Sequence, residues 1–362
     1  MESGLENVVA AETMLSDVDG AAGRLIIRGI SLDDLGGQSA EAVAALLFEG
    51  FFDGLPDSGA FAARLGAARR EVAGELRHAD PDLLALPPLE AVRALLARLG
   101  DGDDLATAFR LLAAPAVFTP AVLRLRQGEA AILPDATLSQ AADMLRMLTG
   151  VAPARAVAGG LDTYLVTVSD HGLNASTFAA RVVASTQAGL VSASLAAVSA
   201  LKGPLHGGAP GPVLDMLDAI ATPARAEAWL EAALDRGDRL MGFGHRVYRV
   251  RDPRADALKG AVRSLAGAGA LDAGRLRLAE AVEAAALAVL QRRKPGRRLD
   301  TNVEFYTALL LEALGFPREA FTAVFATGRM AGWIAHAREQ ARGGRLIRPQ
   351  SRYVGPRPQA AA

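Results

Sequence analysis

Residues 182–201 carry no charge, are rich in Ala, Ser and Val, and run almost directly into Gly203-Pro204-Leu205-His206-Gly207-Gly208. An uncharged stretch of this length belongs either in lipid or in a protein core. Ser185, Thr186, Gln187, Ser192, Ser194 and Ser199 make it too polar for a membrane span. It reads as a buried helix, which requires a large core around it. The bend that follows suits neither a helix interior nor a strand centre. Pro204 sets one φ and removes a donor, while Gly207 and Gly208 permit left-handed or crowded backbone. His206 is therefore held on a turn of dictated shape at the mouth of a buried helix. The local alternative is a helix-ending turn that happens to contain a histidine.

A chain of 362 residues, 51% hydrophobic and 22% charged, can bury such a core and is not a disordered composition. Its net charge of -1 argues against a general nucleic-acid binder. The absence of cysteine removes disulfides, thiolate metal sites and Cys nucleophiles. The five histidines are His78, His171, His206, His245 and His336. The first residues lack the basic and apolar regions of a signal peptide, so the expectation is a soluble, cytoplasmic protein without membrane or nucleic-acid partners.

Turn signals at Asp19-Gly20 and Gly23 beside the short apolar run 24–30 predict a small β hairpin. Asp17-x-Asp19-Gly20 lacks the later ligands and closing Glu of a calcium loop. From Leu32 onward the periodicity is helical, over 40–48, 58–73, 88–99, 104–112 and 138–148. Asp80, Pro81, Pro87, Pro88, Pro115, Pro120 and Pro134 read as loop markers between these helices. Strands do not alternate with helices, so the predicted class is mainly α with a minor β element near the N-terminus.

Asn174, Ser176 and Thr177 favour a helix start just after His171. A straight helix from there to Gly203 would hold His171 and His206 roughly 40 Å apart. The two meet only if the chain breaks or folds back, for example around Gln187-Ala188-Gly189. A second Gly-His turn, Gly242-Phe243-Gly244-His245, leads into four arginines within nine residues, Arg246, Arg249, Arg251 and Arg254. Arginine offers a planar fork for carboxylates and phosphates, which suggests a polyanionic small molecule; a solvated basic loop is the alternative. Residues 292–298 form another basic knot before Asn302-Val303-Glu304-Phe305-Tyr306, where Glu304 is either functional or a first-turn acid favouring the helix dipole. Arg329, amid Phe325, Met330 and Trp333, must be paired or solvated, and a bound carboxylate would serve.

Taken together, these motifs resemble the citrate synthase family, including its 2-methylcitrate synthase branch. The resemblance runs through Gly4-Leu5-Glu6-Asn7-Val8-Val9, Arg28-Gly29 and the stretches 170–177, 201–209, 242–254, 302–306 and 345–355, in the family's order. It implies a two-domain helical fold, with residues 1–207 plus 316–362 as the large domain and 208–315 as the small one. The bend at His206 then lies at the domain junction, where glycines suit closure over substrate.

The implied reaction deprotonates an acyl-CoA at its α-carbon, adds the enolate to the ketone of oxaloacetate and hydrolyses the thioester. By resemblance Glu304 is the base, His206 donates to the thioester oxygen and His245 donates to the ketone. His171, Asn174, Arg254 and Arg329 match substrate-binding positions. Arg348 matches an arginine that reaches the partner subunit's site, implying a homodimer. Arg249, Arg297, Arg298 and Asn302 are candidate CoA contacts. No metal or redox cofactor is implied; acetyl-CoA is a co-substrate, in the tricarboxylic acid cycle.

Three positions depart from the family pattern. Glu304 stands where the family has Asp, Gly172 where Glu is more usual, and Pro210-Gly211 where Asn-Glu usually follows His-Gly-Gly-Ala. The extra methylene of Glu304 shifts its carboxyl by about 1 Å, a misplacement able to lower a rate ~10²-fold. Besides acetyl-CoA condensation, the alternatives are propionyl-CoA as acyl donor, or a weakly active relative that binds oxaloacetate or CoA. The N-terminal extension of larger NADH-regulated forms is not in this sequence, so that regulation is not expected.

Overall fold

The computed structural model describes residues 4–356 except 6, 7, 207–209, 246 and 249. Among these are fifteen α-helices and one small antiparallel sheet. The sheet runs β1 (Ser16–Asp19), β2 (Arg24–Ile27) and β3 (Ile30–Ser31), with Ser16 opposite Ile27 and Ile26 opposite Ser31. The predicted hairpin is present, extended by a third short strand. Asp19 shapes its tip by accepting the amides of Ala21 and Ala22 at 3.1 and 2.9 Å. Leu15, Leu25 and Ile27 turn inward and are fully buried.

The helix Ala40–Phe48 has the predicted bounds, and Ser58–Val72, Pro88–Leu96 and Gln140–Thr149 end within a few residues of them. The reading of Pro115 and Pro120 as loop markers is overturned. Both lie inside one helix, Leu105–Arg126. Each interior proline removes a backbone hydrogen bond and costs about 3 kcal/mol or more. Here nearly every side chain from Leu111 to Leu123 is buried, at about 1.5–3 kcal/mol for each large apolar one, so packing overrides local propensity. This helix is long and apolar enough to cross a membrane, yet 89% of its most apolar window is buried inside the fold.

The uncharged stretch is two helices, not one. Ala175–Ala184 and Leu190–Leu201 pack on each other across a break in which Gln187 has φ +64° and Gly189 φ +94°. A Cβ on Gly189 would stand 2.3 Å from Asp101 Oδ1. Asp101 takes the place of an N-cap side chain: it accepts the amides of Val191 and Ser192 at 2.8 and 3.0 Å. The chain thus folds back, which removes the 40 Å separation of a straight helix.

The helices Pro210–Ile220, Ala226–Asp235, Pro253–Gly267, Ala273–Arg293 and Val303–Ala313 pack among themselves, and Pro253–Gly267 also packs on Arg155–Thr167. The long C-terminal helix Phe321–Gly343 crosses the other set, with Trp333 and His336 fully buried.

Candidate active site

The backbone before His171 lies against the C-terminal helix. A Cβ at Gly332 would stand 2.3 Å from the Ser169 carbonyl oxygen, so only glycine allows this approach. Asp170, fully buried, accepts hydrogen bonds from the Ser16 hydroxyl and from His336 Nε2. Arg181 Nη1 lies 2.8 Å from His336 Nδ1; since a guanidinium only donates, the ring proton sits on Nε2, facing Asp170. Burial alone would raise the Asp170 carboxyl, but His336, Ser16 and Arg329 together hold it below the usual range. Ser16 also accepts the Gly172 amide at 3.0 Å. Strand β1 therefore braces the turn that presents His171.

His171, Asn174, His206, His245, Arg254, Asn302, Glu304 and Arg329 line a single cavity of about 400 Å³. Both Gly-His turns reach it. His206 Nε2 lies 2.8 Å from the hydroxyl of Ser176, which also accepts the indole N–H of Trp333 at 3.1 Å. Asn174 caps its helix by accepting the amides of Ser176 and Thr177, both at 3.1 Å.

His245 Nδ1 accepts the amides of Val247 and Tyr248, both at 3.0 Å, which leaves the ring proton on Nε2. That N–H sits 3.2 Å from Arg254 Nη2, a second donor. Two donors cannot satisfy each other, so both are left for an acceptor. Arg254 is held by Asp252, the N-cap of its own helix, at 3.0 and 2.9 Å. Asp252 also accepts the Val303 amide at 3.2 Å, tying Arg254 to the helix of Glu304. Tyr248 closes the group: its hydroxyl is 3.1 Å from His171 Nε2.

Burial dominates the electrostatics. It pushes His206 down to about 4, helped by Arg329, and His245 down to about 4, helped by Arg254. His171 is pushed well below its ordinary value by burial, then by Arg254, Arg329 and His245. All three rings are neutral at neutral pH and can act as single-proton donors. Burial pushes Glu304 up to about 7, opposed by Arg254, reinforced by Asp252 and opposed by Arg329. Arg329 is pushed down to about 10, chiefly by burial, and stays charged; its Nε donates to the Val168 carbonyl and its guanidinium lies 4.9 Å from the Phe325 ring.

Asn302 lines the cavity, but its own amide is engaged: Oδ1 accepts the Glu304 amide at 3.0 Å and Nδ2 donates to Gly244 O at 2.8 Å. Arg297 lines a neighbouring cavity of about 470 Å³ that shares Arg239, Leu240, Phe243, Gly244 and His245 with the first. Arg298 is exposed and lines neither. Arg348 is exposed in a separate groove between the two chain ends, with Met14 and Leu346. Arg249, with Gly207 and Gly208, lies outside the described residues. Among the described residues no His, Cys, Asp or Glu cluster could hold a metal ion.

Sequence reading missed Ser176, Tyr248 and Asp252 as parts of the site. Asp252 was discoverable, because Asp before Pro is a helix-start signature. Locally Ser176 signals only a helix start, and nothing local marks Tyr248.

The family model for the citrate synthase C-terminal domain matches residues 4–350. The chain is 37% identical over 376 residues to the citrate synthase of Haloferax volcanii, covering 98% of this chain and 96% of that protein. It is 36% identical over 373 residues to the 2-methylcitrate synthase of Mycobacterium tuberculosis, covering 98% and 91%. A solved ternary complex of citrate synthase from Thermoplasma acidophilum with carboxymethyl coenzyme A and oxaloacetate is similar at a TM-score of 0.84 and 29% identity, covering 100% of this chain and 98% of that one. The chain belongs to the citrate synthase family and is an enzyme of the citrate synthase type.

Proposed function

We propose that this enzyme condenses acetyl-CoA with oxaloacetate and hydrolyses the resulting thioester, releasing citrate and CoA. The observation that carries this reading is Glu304: a carboxyl pushed up to about 7 in the same cavity as three neutral histidines and two buried arginines. An α-proton of a thioester is weakly acidic, and a base titrating near the working pH suits its removal. Glu304 takes that proton. The N–H of His206 stabilises the thioester oxygen as it becomes enolic. The enol carbon attacks the ketone of oxaloacetate, whose oxygen gains charge opposite the paired donors of His245 and Arg254. Arg329, Arg254 and His171 hold the carboxylates. Water then cleaves the thioester to citrate and CoA.

The large and small domains divide at residues 1–207 plus 316–362 and 208–315. This division is supported by the cavity, whose lining draws His171, His206 and Arg329 from the first and His245, Arg254 and Glu304 from the second. Closure between the two excludes water before condensation. CoA lies along Asn302, Arg297 and Arg298; Arg249, outside the described residues, is the fourth candidate contact. The enzyme needs no metal or redox cofactor. It is a homodimer in which Arg348 completes the partner's site, supported by its place in a groove separate from its own chain's cavity and by exposed Met14 (72%) and Leu346 (58%) beside it. Its substrates are intracellular metabolites, which suits a cytoplasmic enzyme of the tricarboxylic acid cycle.

Propionyl-CoA is the second acyl donor to test, because the similarity to a 2-methylcitrate synthase is nearly as high as to a citrate synthase. The experiment is to follow free CoA thiol with purified protein, oxaloacetate and either acetyl-CoA or propionyl-CoA. Faster release with acetyl-CoA is expected. Release only with propionyl-CoA replaces the reading by its neighbour, and no release with either overturns both.

A further inference from the structure

Outside the lining of the cavity lies a buried carboxylate that the proposed reaction does not use. Glu283, in the helix Ala273–Arg293, is 8% exposed and both its oxygens are engaged. Oε1 accepts the Thr301 hydroxyl at 2.8 Å. Oε2 accepts Lys259 Nζ and the Tyr306 hydroxyl, each at 2.6 Å.

Those three donors come from two segments that carry site residues. Lys259 is in the helix that begins at Pro253-Arg254. Tyr306 is in the helix of Glu304, two positions on. Thr301 immediately precedes Asn302, the cap of that helix, and faces Phe243 in an isolated antiparallel bridge. Around that bridge the Asn302 amide donates to Gly242 O at 2.9 Å and the Gly244 amide donates to Asp300 O at 2.8 Å. The turn presenting His245 and the helix start presenting Glu304 are thus zipped together, and the Thr301 hydroxyl anchors the zip to Glu283.

We infer that Glu283 is a positioning residue for the reaction: through Thr301, Tyr306 and Lys259 it fixes Glu304 relative to His245 and Arg254. A buried carboxylate ringed by three donors is also what an ordinary core ion pair looks like. Two facts separate the cases. All three donors stand on segments that reach the cavity, and Thr301 sits at the point where the two site loops join. One carboxylate thereby ties both of those segments to the helix Ala273–Arg293, and loosening it releases the base.

Glu304 reports such a loosening. Its elevation comes first from burial, and the groups that face it are Arg254 and Asp252 from one helix end, Arg329 from the C-terminal helix and Tyr164 from Arg155–Thr167. Around Glu283 itself stand Lys259, Tyr306, Glu280 and Arg263. A helix start that shifts or frays admits water to Glu304 and lowers its titration point, while the neighbouring charges stay the same.

The inference rests on Glu304 as the base, so its test has a readout independent of turnover. The shape-conserving variants Thr301→Val and Tyr306→Phe each remove one hydroxyl, and Glu283→Gln keeps the volume of the centre. Carbon-13 carboxyl NMR of labelled glutamate follows Glu304, with Glu304→Gln identifying its resonance. Glu304 is expected to titrate about one unit lower in Thr301→Val and Tyr306→Phe, with kcat reduced on the order of tenfold. Combined with Glu283→Gln, the losses are expected to be less than additive, because the groups share one network. An unchanged Glu304 titration in both folded single variants overturns the inference, whatever Glu283→Gln does to folding. If the unaltered enzyme releases no thiol, the proposed reaction fails, and the titration still decides the role of Glu283.

Discussion

His206 Nε2 lies 2.8 Å from the hydroxyl of Ser176, 30 residues earlier in the chain. The contact exists because the intervening chain folds back at Gly189. Ser176 is fully buried and also holds the indole of Trp333 at 3.1 Å, so it has little freedom to move. Replacing Ser176 with Ala leaves His206 and Trp333 each without a partner. We expect kcat to fall about tenfold or more and stability to fall by about 1–3 kcal/mol. Steady-state kinetics and urea unfolding check the two effects, and Ser176→Thr is expected to restore part of both.

Glu304 sets the acidic limb of the pH profile. Its carboxyl is pushed up to about 7, while His206 and His245 are pushed down to about 4. A base works ionised, so kcat/KM should fall tenfold per pH unit below about 7 in the free enzyme, with no second acidic limb until the histidines titrate. A rate that is flat from pH 7 down to 5 contradicts this assignment.

The length of the Glu304 side chain is testable by itself. Glu304→Ala removes the base and should abolish more than about 99% of turnover. Glu304→Asp raises turnover if the extra methylene misplaces the carboxyl, and lowers it if the local backbone has adjusted to Glu. The adjusted backbone is the outcome expected from the fixed cap at Asn302, whose side chain accepts the Glu304 amide at 3.0 Å.

Arg329 faces the cavity with its Nε already committed to the Val168 carbonyl. Lysine cannot keep that bond and also present a fork to a carboxylate. Arg329→Lys should raise the KM for oxaloacetate by tens to hundreds of fold, corresponding to about 1.5–3 kcal/mol, with a smaller effect on the KM for acyl-CoA. Equal changes in both would argue against a carboxylate partner.

Away from the site, Asp162 is pushed up to about 7 by burial, against the amide of Ala40 and with help from Glu41. A carboxyl raised on folding binds its proton more tightly in the folded state. The folded state therefore loses stability as pH rises from about 4 to about 7, and the loss is complete above that range. Asp162→Asn should leave stability at pH 4 nearly unchanged and raise it at pH 8 by at least ~1 kcal/mol, measured as urea midpoints at the two pH values.

Much of this enzyme was determined by local sequence. Ala40–Phe48 is bounded by a serine cap and an apolar period, the hairpin by Asp19-Gly20, and the start of Ala175–Ala184 by Asn174. These are short-range effects, set by propensity and by side chains that bond their own neighbours. The turn-borne histidines and Arg329 stood out because each is chemically out of place in its surroundings, whereas Glu304 was marked only by the family resemblance. What only the tertiary structure decided is long-range. Buried packing carried the Leu105–Arg126 helix through two prolines, Asp101 capped a helix 90 residues away, and Ser176 came to rest under His206. None of these partners has a local signature, because a hydrogen bond or a packed face across a fold depends on where the chain returns, and that is set by burial of the whole core.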